Sequence, residues 1–392
     1  MSFDIALSGI QSINQQLNST SNNIANAGTY GFKSSRANFS AMYAGSRATG
    51  TEIGSLTQSM SLNGGVLNTG RALDAAIDGR GYFVTRDAQN TMTYSRVGIF
   101  SASNDGLLID ANGRLVQGYA SVKGSTALGT MGDIKIPTGQ IPAEASTKLA
   151  YAANLSSDWT VKTPAFDKTN ELSYNSAKVS VVYDSLGGKH ALGQYFVKTA
   201  TGVDVHYTFD NADVTPVTKM TFDTSGKLVT GTAATPNLPT PAGAAAMSVA
   251  IDYTGTTQFA GEATTSTDRA DGYASGTYTG VELADDGSVV AKYTNGQKQS
   301  IGVLAIATFP DEGALTAVND TSWVASTTSG TAMYDRPGVG MAGKLATSSL
   351  EQSNVDITTE LVGLMTSQRN YQANSKVIST ENAMLQSLMQ AL

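Results

Sequence analysis

Few residues of this chain are of types that do chemistry. Its 392 residues include no cysteine, which removes thiol catalysis, thiolate metal sites and any disulfide framework. The two histidines, His190 and His206, lie in strand-like surroundings without the H-E-x-x-H spacing that sets two ligands on one helix face. They read as ordinary surface or core residues. Gly338-Val339-Gly340-Met341-Ala342-Gly343 has the spacing of a glycine loop whose backbone can approach a pyrophosphate. It follows Asp335-Arg336-Pro337 rather than a buried strand, however, and reads as a flexible connection into a C-terminal helix. Asp285-Asp286-Gly287 lacks the ligand ladder of a calcium loop and reads as a hairpin turn. No serine stands in a G-x-S-x-G elbow. The expectation is no catalytic set, no cofactor and no metal site: a chain that is not an enzyme.

What the residues offer instead is packing. From Ser348 to the end, Ile357, Leu364, Tyr371, Ile378, Leu385 and Leu392 recur at intervals of seven, the spacing of a helix that packs lengthwise on another. The segment has no proline, and its only glycine is Gly363. Companion positions of the stripe are Leu361, Gln368, Ser375, Asn382 and Met389; three are polar, so the apolar face narrows in its middle. Ser348 and Glu351 have capping-box spacing, and Ser353 or Asn354 could start the helix instead. Burying each large apolar side chain contributes about 1.5–3 kcal/mol, whereas ordering each backbone residue costs about 1–2 kcal/mol. Such a helix needs a long partner.

The other end of the chain carries one. Phe3, Ile10, Leu17 and Ile24 also fall seven apart, with Ala6 and Ile13 between them, and Gly28 follows as a suitable stop. Residues 34–70 are glycine-rich and weakly patterned and read as an extended linker or a short hairpin. From Arg71 the pattern turns to strands. Asp105-Gly106, Asn112-Gly113, Ser225-Gly226, Asp286-Gly287 and Asn295-Gly296 each supply a residue that tolerates positive φ and so mark hairpins. Val203, Val205, Tyr207 and Phe209 alternate with polar or small neighbours, as do Met247, Val249, Ile251 and Tyr253, which predicts half-buried antiparallel strands. Boundaries fall near 145–148 and, after the polar run GEATTSTDRADG, near 270–275; TPNLPTPAG (235–243) reads as a surface loop.

The expected fold is α+β and multidomain: long terminal helices pairing as a coiled coil and bracketing two nested, mostly antiparallel β domains. Residues 1–70 with 344–392 would form the helical part, 71–148 with 272–343 an inner discontinuous β domain, and 149–271 an inserted outer β domain.

Charge follows the same division. The net charge is −7, which argues against a nucleic-acid partner. Residues 1–70 carry three basic and two acidic groups, and residues 344–392 carry three and four, so the ends together are neutral and the middle holds the whole acidic excess. Neutral ends can pack against copies of themselves while an acidic middle faces water. No apolar run approaches eighteen residues, so no span is expected to insert in a membrane, and the first residues lack the features of a cleaved secretory signal.

Two stretches carry a resemblance. Asn23-Ile24-Ala25-Asn26, then Thr29-Tyr30-Gly31-Phe32-Lys33, resembles the N-terminal signature of the bacterial flagellar axial proteins, the rod, hook and hook-associated proteins. Asn354-Val355-Asp356, then Gln368-Arg369-Asn370-Tyr371-Gln372-Ala373-Asn374, resembles their C-terminal signature, each at the correct end. Leu73-Asp74, Gly81-Tyr82-Phe83 and Tyr94-Ser95-Arg96-Val97-Gly98 add an internal likeness; together these cover roughly 1–120 and 340–392.

The resemblance implies a self-assembling subunit of a tubular polymer, with the helices innermost and the inserted domain outermost. The insertion of some 120 residues favours a hook subunit over a shorter rod subunit. It implies a curved, flexible tube acting as a universal joint between rod and filament. It also implies an extracellular place in the flagellum, reached through the flagellar export apparatus. The implied partners are copies of the chain itself, the distal rod protein, the hook cap and the hook–filament junction proteins. A secreted β-rich adhesin is the reading from another class. The entropy comparison further predicts that the ends are disordered in the free monomer, so that proteases would leave a core near 71–343.

Overall fold

A computed structural model describes residues 2–121 and 128–390. The chain forms two compact units: Met1–Thr138, Gly280–Lys292 and Lys298–Leu392 make the first, and Gly139–Thr279 with Tyr293–Gln297 the second. It is mostly β with a helix near each end, which carries the coarse fold expectation.

In the first unit, helix α1 (Ser2–Ala25) is followed by β1 (Ser35–Ala44) and β2 (Arg47–Gln58). The stretch left open between linker and short hairpin is thus a long antiparallel hairpin, turning at Gly45 (φ 65°). Its sequence shows no alternation because most of its side chains are exposed on both faces. Next come β3 (Val66–Asn68) and β4 (Ala75–Asp78). Both take partners from the far end of the chain: β3 pairs antiparallel with Ser349–Glu351, and β4 with Lys344–Thr347. The glycine-rich stretch 338–343 therefore feeds a strand and not the helix. It is a defined turn, with Gly338 N donating to Gly343 O at 2.9 Å.

Helix α2 (Ile357–Gln390) begins later than the capping-box reading placed it. Ser348 and Glu351 flank and end a strand, and the cap is Asp356, whose carboxylate accepts from the backbone N–H of Thr358 (2.8 Å) and Thr359 (3.3 Å). The hydrogen bond from the Thr359 hydroxyl, with these backbone bonds, holds the Asp356 carboxyl below its ordinary range. The rest of the unit is a sheet running through Ser288–Tyr293, Lys298–Leu304, Leu115–Ser121, Tyr82–Arg86, Met92–Ser95 and Ser322–Val324. Its core is aromatic: Tyr82 meets Trp323 edge-on at 5.7 Å between ring centres, and Tyr94 meets Phe309 at 4.8 Å.

In the second unit, a five-stranded antiparallel sheet runs Ser176–Tyr183, Lys189–Lys198, Val203–Phe209, Ala212–Phe222, Leu228–Thr230. A four-stranded sheet runs Ala233–Ala234, Ala250–Asp252, Lys148–Asn154, Thr264–Ala270. The alternating residues Val203, Val205, Tyr207 and Phe209 are all buried, as are Met247, Val249, Ile251 and Tyr253. The second set differs in one respect: its strand is short and pairs parallel with Lys148–Ala150. The polar run ahead of the 270–275 boundary contains the strand Thr264–Ala270, which pairs with Lys148–Asn154 on one side and exposes most of its side chains. Threonine-rich edge strands favour extended backbone without the apolar alternation that announces a strand. All five turn dipeptides lie in loops joining consecutive paired strands, with the glycine at positive φ in each.

Candidate subunit interface

The two flanks of the helices are joined by a buried polar clasp. Lys33 Nζ lies 2.8 Å from Glu351 Oε1 and donates to Leu62 O at 2.7 Å and to Asn63 Oδ1 at 3.3 Å. Arg96 stands on the other side: Nη1 is 3.4 Å from Glu351 Oε2, and Nη2 donates to Asn63 Oδ1 at 2.8 Å and to Gly79 O at 2.7 Å. Its guanidinium sits 5.4 Å from the Tyr82 ring centre. All three charged side chains are at most 1% exposed, so two cations share one carboxylate out of water. Burial pushes the Lys33 amine below its ordinary value, against the opposing pull of Glu351.

Signature residues complete the clasp. Asn354 accepts from Ser34 N at 2.7 Å and donates to Ser59 O and Leu62 O. Gly31 N donates to Glu351 O at 2.8 Å; its φ is 66°, and a Cβ there would press within 3.0 Å of the Arg96 and Val97 backbone. Asn23 accepts from Ser35 N and donates to Ser35 O and, across 337 residues, to Glu360 Oε1 at 2.8 Å. Asn26 caps its own helix end through Asn22 and Thr29. Phe32 and Val355 are half-buried beside them, and Ala25 is exposed.

Helices α1 and α2 lie against each other. On α1, Ile13 is buried with Ala6 and Gly9, Ile10, Leu17 and Ile24 are half-buried, and Phe3 is exposed. On α2, Leu364 and Ile378 are half-buried, while Ile357, Leu361, Tyr371 and Leu385 are exposed. Leu392 lies outside the described residues. The covered line of α2 runs through Glu360, Leu364, Ser367, Asn374, Ile378 and Glu381, and Ser367 is its most deeply buried residue. The companion positions Gln368, Ser375, Asn382 and Met389 are exposed, as are the signature residues Arg369 and Gln372. Close approach explains the choice: a Cβ on Gly9 would stand 3.0 Å from Asn374 Nδ2, so small and polar side chains bring the backbones together. A reading that ranks positions by hydrophobicity passes over Glu360, Ser367 and Glu381.

The consequence is a large uncovered apolar surface. On α2 alone Ile357, Leu361, Val362, Met365, Val377, Met384, Leu385, Leu388 and Met389 are all at least 44% exposed. Nine large apolar side chains left in water on one helix exceed the scattered single exposures that are ordinary on a monomer's surface.

Both histidines have close neighbours within the second unit. His190 Nδ1 is 2.6 Å from Asp210 Oδ2 and its Nε2 is 3.2 Å from Asp184 Oδ2. Burial alone would lower its pKa, but the hydrogen bonds and charges of Asp210 and Asp184 raise it. His206 stacks on Phe166 at 4.2 Å, and burial lowers its pKa. Among the described residues no three His, Asp or Glu side chains converge as a metal site.

Three family models match successive parts of the chain: flagellar hook protein FlgE/F/G D1 domain over 76–154, flagellar basal body protein FlaE D2 domain over 154–273, and flagellar basal body rod FlgEFG protein C-terminal over 346–391. The crystal structure of Helicobacter pylori flagellar hook protein FlgE2 shares the fold, with a TM-score of 0.54 at 12% identity over 73% of this chain and 100% of that one. A helix near each end and a β-rich middle, matched in chain order by three flagellar models, are those of a structural protein of the flagellar axis. The flagellar hook proteins FlgE of Salmonella typhimurium and Escherichia coli are each 34% identical to the chain over 99% of both partners, and that of Brucella suis is 30% identical over 98% of this chain and 96% of its own. The chain belongs to the flagellar hook protein FlgE family.

Proposed function

We propose that the chain is the structural subunit of a bacterial flagellar hook, in which copies assemble into a curved, flexible tube that passes motor torque from rod to filament as a universal joint. The observation that carries this reading is the uncovered apolar surface of α2, which a second copy would bury. On this reading α1 and α2 pair as a coiled coil within residues 1–70 and 344–392. Residues 71–148 with 272–343 form the inner β domain, and 149–271 the outer one. The seam residues Phe3, Ile10, Ile13, Leu17, Ile24, Ile357, Leu361, Leu364, Tyr371, Ile378, Leu385 and Leu392 serve packing within and between subunits. Distal rod protein, hook cap and hook–filament junction proteins meet its ends, and the flagellar export apparatus delivers it.

Immunogold electron microscopy with antibody against residues 149–271 tests the placement. Label is expected on a short curved segment between cell and filament. Label confined to extracted basal bodies would make the chain a rod subunit, and label spread over the cell surface would make it an adhesin.

A further inference from the structure

The clasp holds an arrangement that packing alone does not require. Asn63 is followed by Gly64, and the Asn63 side-chain oxygen receives both buried cations, Lys33 Nζ at 3.3 Å and Arg96 Nη2 at 2.8 Å. The Gly64 N–H points at the buried carboxylate, 3.1 Å from Glu351 Oε1. Glu351 Oε2 accepts no hydrogen bond among the described residues. Gly64 cannot be another residue, because a Cβ there would lie 1.8 Å from Gln352 O. Asn63 itself is exposed, at the water-facing rim of the cluster. A base on the amide N–H, two cations on the neighbouring carbonyl oxygen and access to water are the parts of an acyl-transfer site.

We propose that the clasp is a self-modifying site at which Asn63 is deamidated to aspartate. Gly64 N attacks Asn63 Cγ as Glu351 takes the amide proton. Charge gathering on the side-chain oxygen is held by Arg96 and Lys33. The Cγ–Nδ2 bond breaks, and ammonia leaves with the proton that Glu351 returns. The five-membered imide that results takes up water, and polarisation of the former side-chain carbonyl by the two cations directs that water to Cγ, which restores the main chain and leaves a carboxylate. The product sets a second anion against the two cations and completes the charge balance that the buried cluster lacks. It is a maturation of the folded subunit, since Lys33, Asn63, Arg96 and Glu351 meet only in the fold.

Two other Asn-Gly pairs serve as controls within the chain. At Asn112-Gly113 and Asn295-Gly296 the glycine N–H donates to a backbone carbonyl, Asp110 O and Tyr293 O, with no carboxylate on it. The purified full-length chain, aged at neutral pH and compared with a sample held in urea, is digested and mapped by tandem mass spectrometry. The expected result is a gain of about 1 Da at Asn63, as aspartate, many times faster than at Asn112 or Asn295 in the folded chain and no faster than at them in urea. Asn63→Asp is expected to unfold at higher temperature than freshly prepared protein, and Asn63→Gln to stay unmodified. Conversion at Asn63 no faster than at the two controls would overturn the proposal. So would a loss of about 17 Da with Lys33 joined to Asn63, which would mean that the amine and not Gly64 N attacks.

Discussion

At the scale of single residues, Glu351 carries the greatest demand. Two buried cations depend on it, and removing one partner of a buried ion pair costs about 3–5 kcal/mol because the other charge stays uncompensated. Glu351→Gln is therefore expected to lower the unfolding temperature by many degrees in calorimetry, and Lys33→Met by less, since Arg96 then keeps its partner. His190 gives a pH-dependent counterpart. Its folded-state pKa is raised above the ordinary 6.5 by Asp210 and Asp184, so its contribution is fully present below about pH 6.5 and is lost as pH rises through the folded value. His190→Asn should lower the unfolding temperature at about pH 5.5 and leave it nearly unchanged at about pH 9; equal loss at both would discount the imidazolium. His206 runs the other way, because burial lowers its pKa and protonation in acid opposes the fold.

At the scale of elements, the two helices separate what can be read from a sequence from what cannot. Heptad spacing was enough to show a helix near each end, because Ile10, Leu17, Leu364 and Ile378 recur at the helical period. It did not show which flank turns inward. The inward line is chosen by how closely two backbones can approach at Gly9 and Asn374, and small polar side chains leave little trace in a hydrophobic pattern. The long hairpin β1–β2 and the edge strand Thr264–Ala270 escaped for a related reason: neither buries one face cleanly. The clasp was visible only as signature residues, since its ion pairs join positions hundreds of residues apart. Two substitutions separate seam from outer face. Leu388→Asp, 61% exposed, should leave the subunit folded by circular dichroism and abolish polymerisation in sedimentation. Gly9→Leu should instead disturb the α1–α2 contact itself, seen as lost helical signal before any assembly.

At the scale of the whole molecule, two ladders and one ion-pair cluster join the chain's beginning to its end. A free subunit should therefore resist trimming further inward than the terminal stripes alone imply. Limited proteolysis is expected to remove α1 and α2 and to halt near residues 31 and 352, where the clasp begins, and not near 71 and 343. Trimming that continues through β3 and β4 would show the clasp to be too weak to hold without a neighbouring copy. The same clasp has a consequence for the order of events in folding. Lys33 and Glu351 are 318 residues apart in sequence, so a chain still being completed can fold its middle but cannot close its ends. Closure waits until Glu351 has been made. A subunit truncated before Glu351 would keep two buried cations, Lys33 and Arg96, with no carboxylate to receive them. Joining the two flanks of the β-rich middle is thus left to the end of folding, whatever the state of the helices beyond them.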